Sequence, residues 1–167
     1  MRRFLITVGI LSLGTFLVLR LYPPSTTVQI GEKAPGFTLS DDADEPVALD
    51  SFLGKVVLLN FWATSCPPCL AEMPSFEKLY QRFKEEGLLI LAVNEDSKEN
   101  VRFFKRQVPF TFPVLYDVDH VAIDHYGITV LPQTFIIGRD GVVLKIISGT
   151  ADWTGPYFLN IITEALK

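Results

Sequence analysis

The feature that most constrains this chain is a pair of cysteines placed where a strand gives way to a helix. Cys66 and Cys69 are the only cysteines among its 167 residues. The apolar run at residues 56–61 predicts a buried strand before them, and residues 70–73 after them are typical of a helix. A dithiol at such a strand-to-helix turn favours dithiol–disulfide exchange.

The geometry of a helix start explains why this position suits the chemistry. At the first turn, the sulfur of Cys66 meets the positive end of the helix dipole, which favours thiolate over thiol. Cys69 lies one turn further on the same face and can attack a mixed disulfide formed at Cys66. Pro67 and Pro68 fit between them because first-turn N–H groups have no acceptor within the helix.

Two other uses of the cysteine pair fit less well. A structural disulfide across so short a loop removes little entropy from the unfolded chain. Half of a zinc site needs two more ligands, and the only histidines, His120 and His125, lie some fifty residues away. The sequence therefore predicts a redox pair with no metal and no bound cofactor.

The first 22 residues predict a membrane anchor. Residues 4–19 carry no charge, and an apolar helix continued to Tyr22 would be about 28 Å long against a bilayer core of about 30 Å. No small-residue cleavage site follows, so an uncleaved anchor is favoured over a signal peptide. Arg2 and Arg3 would stay in the cytoplasm, which predicts a single-pass cytoplasmic (inner) membrane protein with an extracytoplasmic, periplasmic domain.

The remaining composition indicates one domain with one core. The division is an anchor at residues 1–22, a polar linker at residues 23–33 and a folded domain at residues 34–167. The whole chain carries −4 and the anchor's three arginines carry +3, so the rest carries −7. This charge argues against binding nucleic acid through a basic surface.

The order of predicted elements indicates an α/β fold with a mixed sheet and helices on both faces. Apolar runs and turn signals predict strands at residues 37–39, 47–49, 55–61, 88–93, 112–116, 134–137 and 142–147. Capping signals and glycines predict helices at residues 67–86, 97–107, 118–126 and within 153–167. Active residues of such sheets gather at the carboxyl ends of strands, where Cys66 lies.

Over residues 31–167 the chain resembles the thioredoxin superfamily, and more closely its membrane-anchored TlpA/ResA-like thiol–disulfide oxidoreductases. The resemblance rests on residues 60–64 leading into the cysteine pair, on Glu72 and Pro74 in the following helix, and on residues 126–135. It implies a thioredoxin fold with an N-terminal strand extension and a central insertion at residues 97–126.

The resemblance also implies a substrate-binding surface. Pro132 would be cis and stand opposite the sulfurs, while Leu131 would offer backbone hydrogen bonds to a bound substrate strand. Pro67 and Pro68 would border the same surface. Trp62 would flank the site and shape its apolar rim, or else lie buried in the core.

A carboxyl group beside the thiols is the third implied component of the catalytic site. Glu72 lies three residues after Cys69 on the same helix face, and the resemblance implies that it accepts or returns the proton of Cys69. Thioredoxins carry an aspartate where this chain has Asn60, which cannot take a proton. Ser65 stands where many relatives carry tryptophan, which bears on partner fit.

The two prolines bear on the redox poise of the pair. Since Pro67 and Pro68 have no N–H, Cys69 is the nearby backbone donor left for a Cys66 thiolate. We expect a thiolate less stabilised than in strongly oxidising relatives, and therefore a better reductant.

The implied partners are a protein disulfide substrate, such as the haem-attachment dithiol of an apocytochrome c, and a membrane thiol-transfer protein as electron donor. A lone thiol pair outside the cytoplasm needs such a donor to stay reduced. Two other functions remain open. A thiol peroxidase of the same fold typically has threonine where this chain has Ala63, and a copper carrier would use both thiols for Cu(I).

Overall fold

Seven strands form a single mixed sheet in the computed structural model, which describes residues 28–167. The strands are β1 (Thr38–Ser40), β2 (Pro46–Ala48), β3 (Val56–Trp62), β4 (Leu88–Asn94), β5 (Val114–Tyr116), β6 (Gln133–Ile137) and β7 (Val143–Ser148). Their order is β2-β1-β5-β4-β3-β6-β7. The central β3, β4 and β5 are parallel, and the flanking pairs are antiparallel.

Four α-helices connect and cover these strands in the described region. They are α1 (Pro67–Phe83), α2 (Lys98–Gln107), α3 (Val121–Tyr126) and α4 (Pro156–Leu166), with 3-10 turns at Leu49–Phe52 and Lys84–Glu86. The predicted Ser97 cap is confirmed, because its side chain accepts from the backbone N–H of Asn100 at 3.4 Å. Gly87 ends the α1 segment at φ +102°, a left-handed conformation that glycine adopts without strain.

The two faces of the sheet have separate cores. On β3, Val56, Leu58 and Trp62 join one buried cluster with residues of α1, α2 and α4. Val57, Leu59 and Phe61 join the other, with residues of α3 and the N-terminal strands. We call the first side the thiol face, because Cys69 belongs to it, and the second the opposite face. The predicted thioredoxin-like fold with helices on both faces is confirmed.

Residues 28–34 run along the β6–β7 hairpin. The backbone N–H of Gly31 donates to Val143 O at 2.8 Å, and that of Val143 donates to Glu32 O at 2.9 Å. Val28 is buried. The predicted anchor lies outside the described residues, and the domain boundaries at residues 22 and 33 stay predictions. Within residues 28–167, no helix has the length and apolarity needed to cross a bilayer.

Candidate active site

The two cysteines form a disulfide at the beginning of α1. Cys66 caps the helix and is half-buried, whereas Cys69 is fully buried. The backbone N–H of Cys69 lies 3.3 Å from Cys66 Sγ, which is the contact that the two prolines predict. Pro67 and Pro68 are exposed beside the sulfurs. One sulfur therefore faces the surface and the other the core.

The turn before Cys66 is held from the neighbouring parallel strand. The backbone N–H of Thr64 donates to Asp96 Oδ2 at 2.6 Å. The N–H of Asp96 donates to Asn94 Oδ1 at 2.7 Å, and the Asn94 side-chain amide donates to Trp62 O at 3.2 Å. Sequence reasoning missed Asn94 and Asp96. Their position at the carboxyl end of β4, beside that of β3, is the signal that points to them.

Glu72 is buried on the same face of α1 as Cys69. Its Oε2 accepts from the backbone N–H of Ala151 at 3.3 Å and from the indole Nε1–H of Trp153 at 3.1 Å, and its Oε1 accepts from Asn60 Nδ2 at 3.1 Å. Burial raises the pKa of Glu72 to about 7, and the three donors oppose that rise only in part. A carboxyl that titrates near neutrality can both take and return a proton.

Asn60 links this carboxyl to the neighbouring strand. It pairs with Thr134 in the β3–β6 register, and its Nδ2 also donates to Thr134 Oγ1 at 2.9 Å. Both residues are buried. From the sequence, Asn60 is only the residue that replaces the aspartate of thioredoxins, and neither Thr134 nor Trp153 is predicted to lie in the site. A polar residue inside each apolar run is the signal for Asn60 and Thr134, while Trp153 has no such signal.

The Leu131–Pro132 peptide bond is cis, as the resemblance implies. Pro132 is buried and Leu131 half-buried. The segment enters β6 at Gln133, which pairs with Phe61 near the carboxyl end of β3. This register brings Leu131 and Pro132 to the sheet edge from which the cysteine turn leaves. Their role in holding a substrate stays a prediction.

Trp62 lies in the core of the thiol face. Its side chain is 1% exposed and packs against Phe104 and Phe110, with ring centroids 5.6 and 6.1 Å away. Of the two interpretations of Trp62, this is the position of a core tryptophan. Trp62 therefore packs in the core below the cysteine turn, and Pro67 and Pro68 form the exposed surface beside the sulfurs.

The arrangement is suited to thiol–disulfide exchange. A half-buried sulfur can attack an outside disulfide, and a buried sulfur one helical turn away can resolve the mixed disulfide. A buried carboxyl three residues further on the same helix face is suited to exchange a proton with that second sulfur. Among residues 28–167, no group of three or more histidine, cysteine, aspartate or glutamate side chains is placed to hold a metal ion.

Comparison with known proteins agrees with this geometry. Residues 30–146 match the AhpC/TSA family. The chain is 38% identical over 151 residues to a thiol-disulfide oxidoreductase ResA of Geobacillus thermodenitrificans, across 90% of this chain and 87% of that protein. The ResA of Bacillus subtilis is 37% identical over 155 residues, across 89% and 87%. A crystal structure of a putative thiol:disulfide interchange protein DsbE from Chlorobium tepidum has a TM-score of 0.79 and 32% identity, across 84% of this chain and 100% of that one. With its Cys66–Cys69 pair in a thioredoxin fold, the chain thus belongs to the AhpC/TSA family and, within it, to the ResA-like thiol–disulfide oxidoreductases.

Proposed function

We propose that this oxidoreductase is a membrane-tethered reductase of protein disulfides, working on the outer side of the cytoplasmic membrane. The observation that carries the exchange chemistry is the buried Glu72 carboxyl on the helix face of the buried Cys69, where burial raises its pKa to about 7. Such a group is suited to remove the proton that keeps a buried thiol unreactive.

The first step is an attack by the Cys66 thiolate on one sulfur of the substrate disulfide. A bond forms between Cys66 and that sulfur as the substrate S–S bond breaks. The second substrate sulfur leaves as a thiolate and takes up a proton. Cys66 fits this step because it is the half-buried sulfur at the helix start.

The second step resolves the mixed disulfide. Glu72 accepts the thiol proton of Cys69, and Cys69 Sγ attacks Cys66 Sγ. The enzyme disulfide forms as the bond from Cys66 to the substrate breaks, and the departing substrate sulfur receives the proton held by Glu72. Two electrons and the Cys69 proton have then passed from the enzyme to the substrate, and the other substrate thiol takes its proton from solvent. A membrane thiol-transfer protein would return the two electrons and one proton, which restores the Cys66 thiolate and the Cys69 thiol.

The Leu131–Pro132 segment is proposed to hold the substrate chain. No hydrogen bond to the backbone N–H or C=O of Leu131 occurs within the described part of the chain. Free main-chain groups at the edge next to the sulfurs suit an extended partner segment. Pro132 contributes no N–H beside the reacting sulfurs.

The haem-attachment dithiol of an apocytochrome c is the proposed substrate. Trapping tests this directly: the full-length Cys69→Ser chain, expressed in its own membrane, should keep its substrate covalently bound at Cys66 for mass spectrometry. A Cys66→Ser, Cys69→Ser double variant is the matched control. Recovery of other proteins, with no cytochrome among them, would contradict the proposed substrate.

The proposed location has its own test. A membrane-impermeant maleimide added to intact spheroplasts should label Cys66 after reduction, and lysis should not increase the labelling. Labelling that requires lysis would contradict an extracytoplasmic domain.

A separate assay distinguishes the reductase from a thiol peroxidase. The purified protein should consume disulfide rather than hydrogen peroxide, and faster peroxide consumption would indicate the peroxidase function instead.

A further inference from the structure

The two carboxyl oxygens of Glu72 have different hydrogen-bond donors. Oε2 accepts from two donors that cannot reverse, the backbone N–H of Ala151 and the indole N–H of Trp153. Oε1 accepts from the side-chain amide of Asn60. All three contacts donate to Glu72, so they are arranged for its ionised form. A proton bound to the carboxyl needs an acceptor that none of them offers.

Asn60 carries an unused acceptor at this place. Its Nδ2 donates to both Glu72 Oε1 and Thr134 Oγ1, and its Oδ1 is buried without a hydrogen-bond partner. An unsatisfied buried oxygen is unfavourable. The nitrogen and oxygen of an amide have nearly the same shape, so the orientation of the group follows its hydrogen bonds.

We propose that Asn60 is the positioning residue of the proton step: its side-chain amide turns over, donating to Glu72 as a carboxylate and accepting from it as a carboxylic acid, and the Thr134 hydroxyl reverses in step. In the acid state, Oδ1 accepts from the Glu72 O–H and from the Thr134 O–H. The proton binds at Oε1, because Oε2 is already occupied by two donors. The amide thus gives each proton state of Glu72 a hydrogen-bond partner, while in the acid state both Nδ2 protons lose theirs.

Few other charges act on this group. Among the described residues Glu72 forms no ion pair. From β3 it faces Asn60, and from the segment before α4 it faces Ala151 and Trp153. In that segment Asp152 is exposed and bonded to Thr154. Among the described residues, no charged side chain is a cause of the shifted pKa of Glu72, and the two cysteines on its helix do not titrate as a disulfide.

Side-chain NMR of the oxidised full-length protein tests the turnover. The Glu72 carboxyl carbon and both Asn60 amide protons are followed through neutral pH. If the Asn60 amide turns over, the chemical shifts of both amide protons should change together as Glu72 titrates, since both protons lose their acceptors. If the chemical shift changes only for the proton that faces Glu72, or for neither proton, the amide is fixed and the inference is wrong.

Thr134 supplies a matched pair of variants. Thr134 makes no hydrogen bond to Glu72, and its hydroxyl is linked to that carboxyl through Asn60. In Thr134→Val the carboxylate orientation leaves one amide proton without a partner, while the acid orientation keeps its acceptor filled. The pKa of Glu72 should therefore rise by about half a unit or more. Thr134→Ser, which keeps the hydroxyl, should leave it unchanged.

This inference rests on the proposed role of Glu72 and fails separately from it. An unchanged pKa of Glu72 in Thr134→Val would contradict the rotation of the Asn60 amide but would leave Glu72 as a proton carrier. Full catalytic activity of Glu72→Gln would contradict the proton-carrier role. The NMR titration of the unmodified protein decides on the amide even if a variant fails to fold.

Discussion

The two faces of the central sheet are built from the same strands but differ in the polar side chains that they bury. The opposite face is an apolar cluster in which Phe61, Tyr126 and Phe135 pack edge to face or tilted, with ring centroids 4.9 to 5.9 Å apart. The thiol face is equally buried but contains the polar group of Asn60, Glu72 and Thr134 near its carboxyl edge.

This difference separates stability from chemistry. A buried carboxyl is unfavourable for folding, and the thiol face contains Glu72 on the helix face of Cys69, where we propose that a proton moves. The buried carboxyl next to α3, Asp117, instead accepts from the backbone N–H of Ile123 at 2.8 Å, and the opposite face contributes mainly apolar burial. Variants on the two faces should therefore affect different measurements.

The largest effect is expected at Cys66, the sulfur proposed to attack the substrate. Cys66→Ser should lower disulfide-reduction turnover by about a thousandfold or more, because the nucleophile is lost. Its unfolding free energy should stay close to that of the reduced wild-type chain. Residual turnover in a peptide-disulfide assay, with Ser65→Ala as the control variant, would contradict this assignment.

A large truncation on the opposite face should do the reverse. Phe37→Ala removes a buried ring that packs against Tyr126 and should lower the free energy of unfolding by about 3 to 5 kcal/mol. Turnover per folded molecule should not change. Urea unfolding followed by circular dichroism measures the first quantity. A turnover loss larger than the unfolded fraction explains would show that the two faces are coupled.

The buried carboxyl should make stability fall as pH rises. The pKa of Glu72 is about 7 in the folded protein against 4.5 for a free glutamate side chain, so between these values the folded state alone keeps the proton. Stability is lost as pH rises through this window, by about 3 kcal/mol in all. Unfolding measured from pH 4.5 to pH 8 should show Glu72→Gln gaining that amount relative to wild type.

The exposed Glu85→Gln variant is the control for this pH dependence, because it removes a charge without relieving burial. Its stability should follow that of the wild-type protein throughout. Parallel pH curves for Glu72→Gln and the wild type would mean that burial does not raise the pKa of Glu72. In that case the two faces would not differ in their contribution to the pH dependence of stability.

The smallest effect is expected at the edge between the faces. Asp96→Ala removes the acceptor for Thr64 N–H and should lower both stability, by about 1 kcal/mol, and turnover, by about tenfold. Ser97→Ala removes a helix cap at about the same stability loss without touching the cysteine turn. Equal turnover in the two variants would show that the turn does not depend on Asp96.

Continuous apolar runs and turn signals located most elements from the sequence. The runs at residues 55–61 and 88–93 became β3 and β4, and Ser97 caps α2 as predicted. The less regular segments shifted. The strand predicted at residues 112–116 begins at Val114, and the helix predicted at residue 118 begins at Val121, after His120 takes a positive φ of 57°.

The candidate site was predictable only where its residues are close in sequence. Cys66, Cys69 and Glu72 share one helix, so their common face follows from helical spacing. Trp153 lies 81 residues from Glu72, and only the packing of the last segment against α1 brings its indole to the carboxyl. Trp62 sits in a strand buried on both sides, where the sequence does not indicate which face a side chain joins.

The sequence by itself determined the dithiol–disulfide chemistry of this protein, because two cysteines at a helix start follow from local geometry, as does the position of an acid one turn further on the same face. The tertiary structure alone decided the environment in which that chemistry runs. The pKa of Glu72 depends on how completely water is excluded and on donors from two other segments of the chain, and these distant contacts exist only once the sheet and its helices have packed.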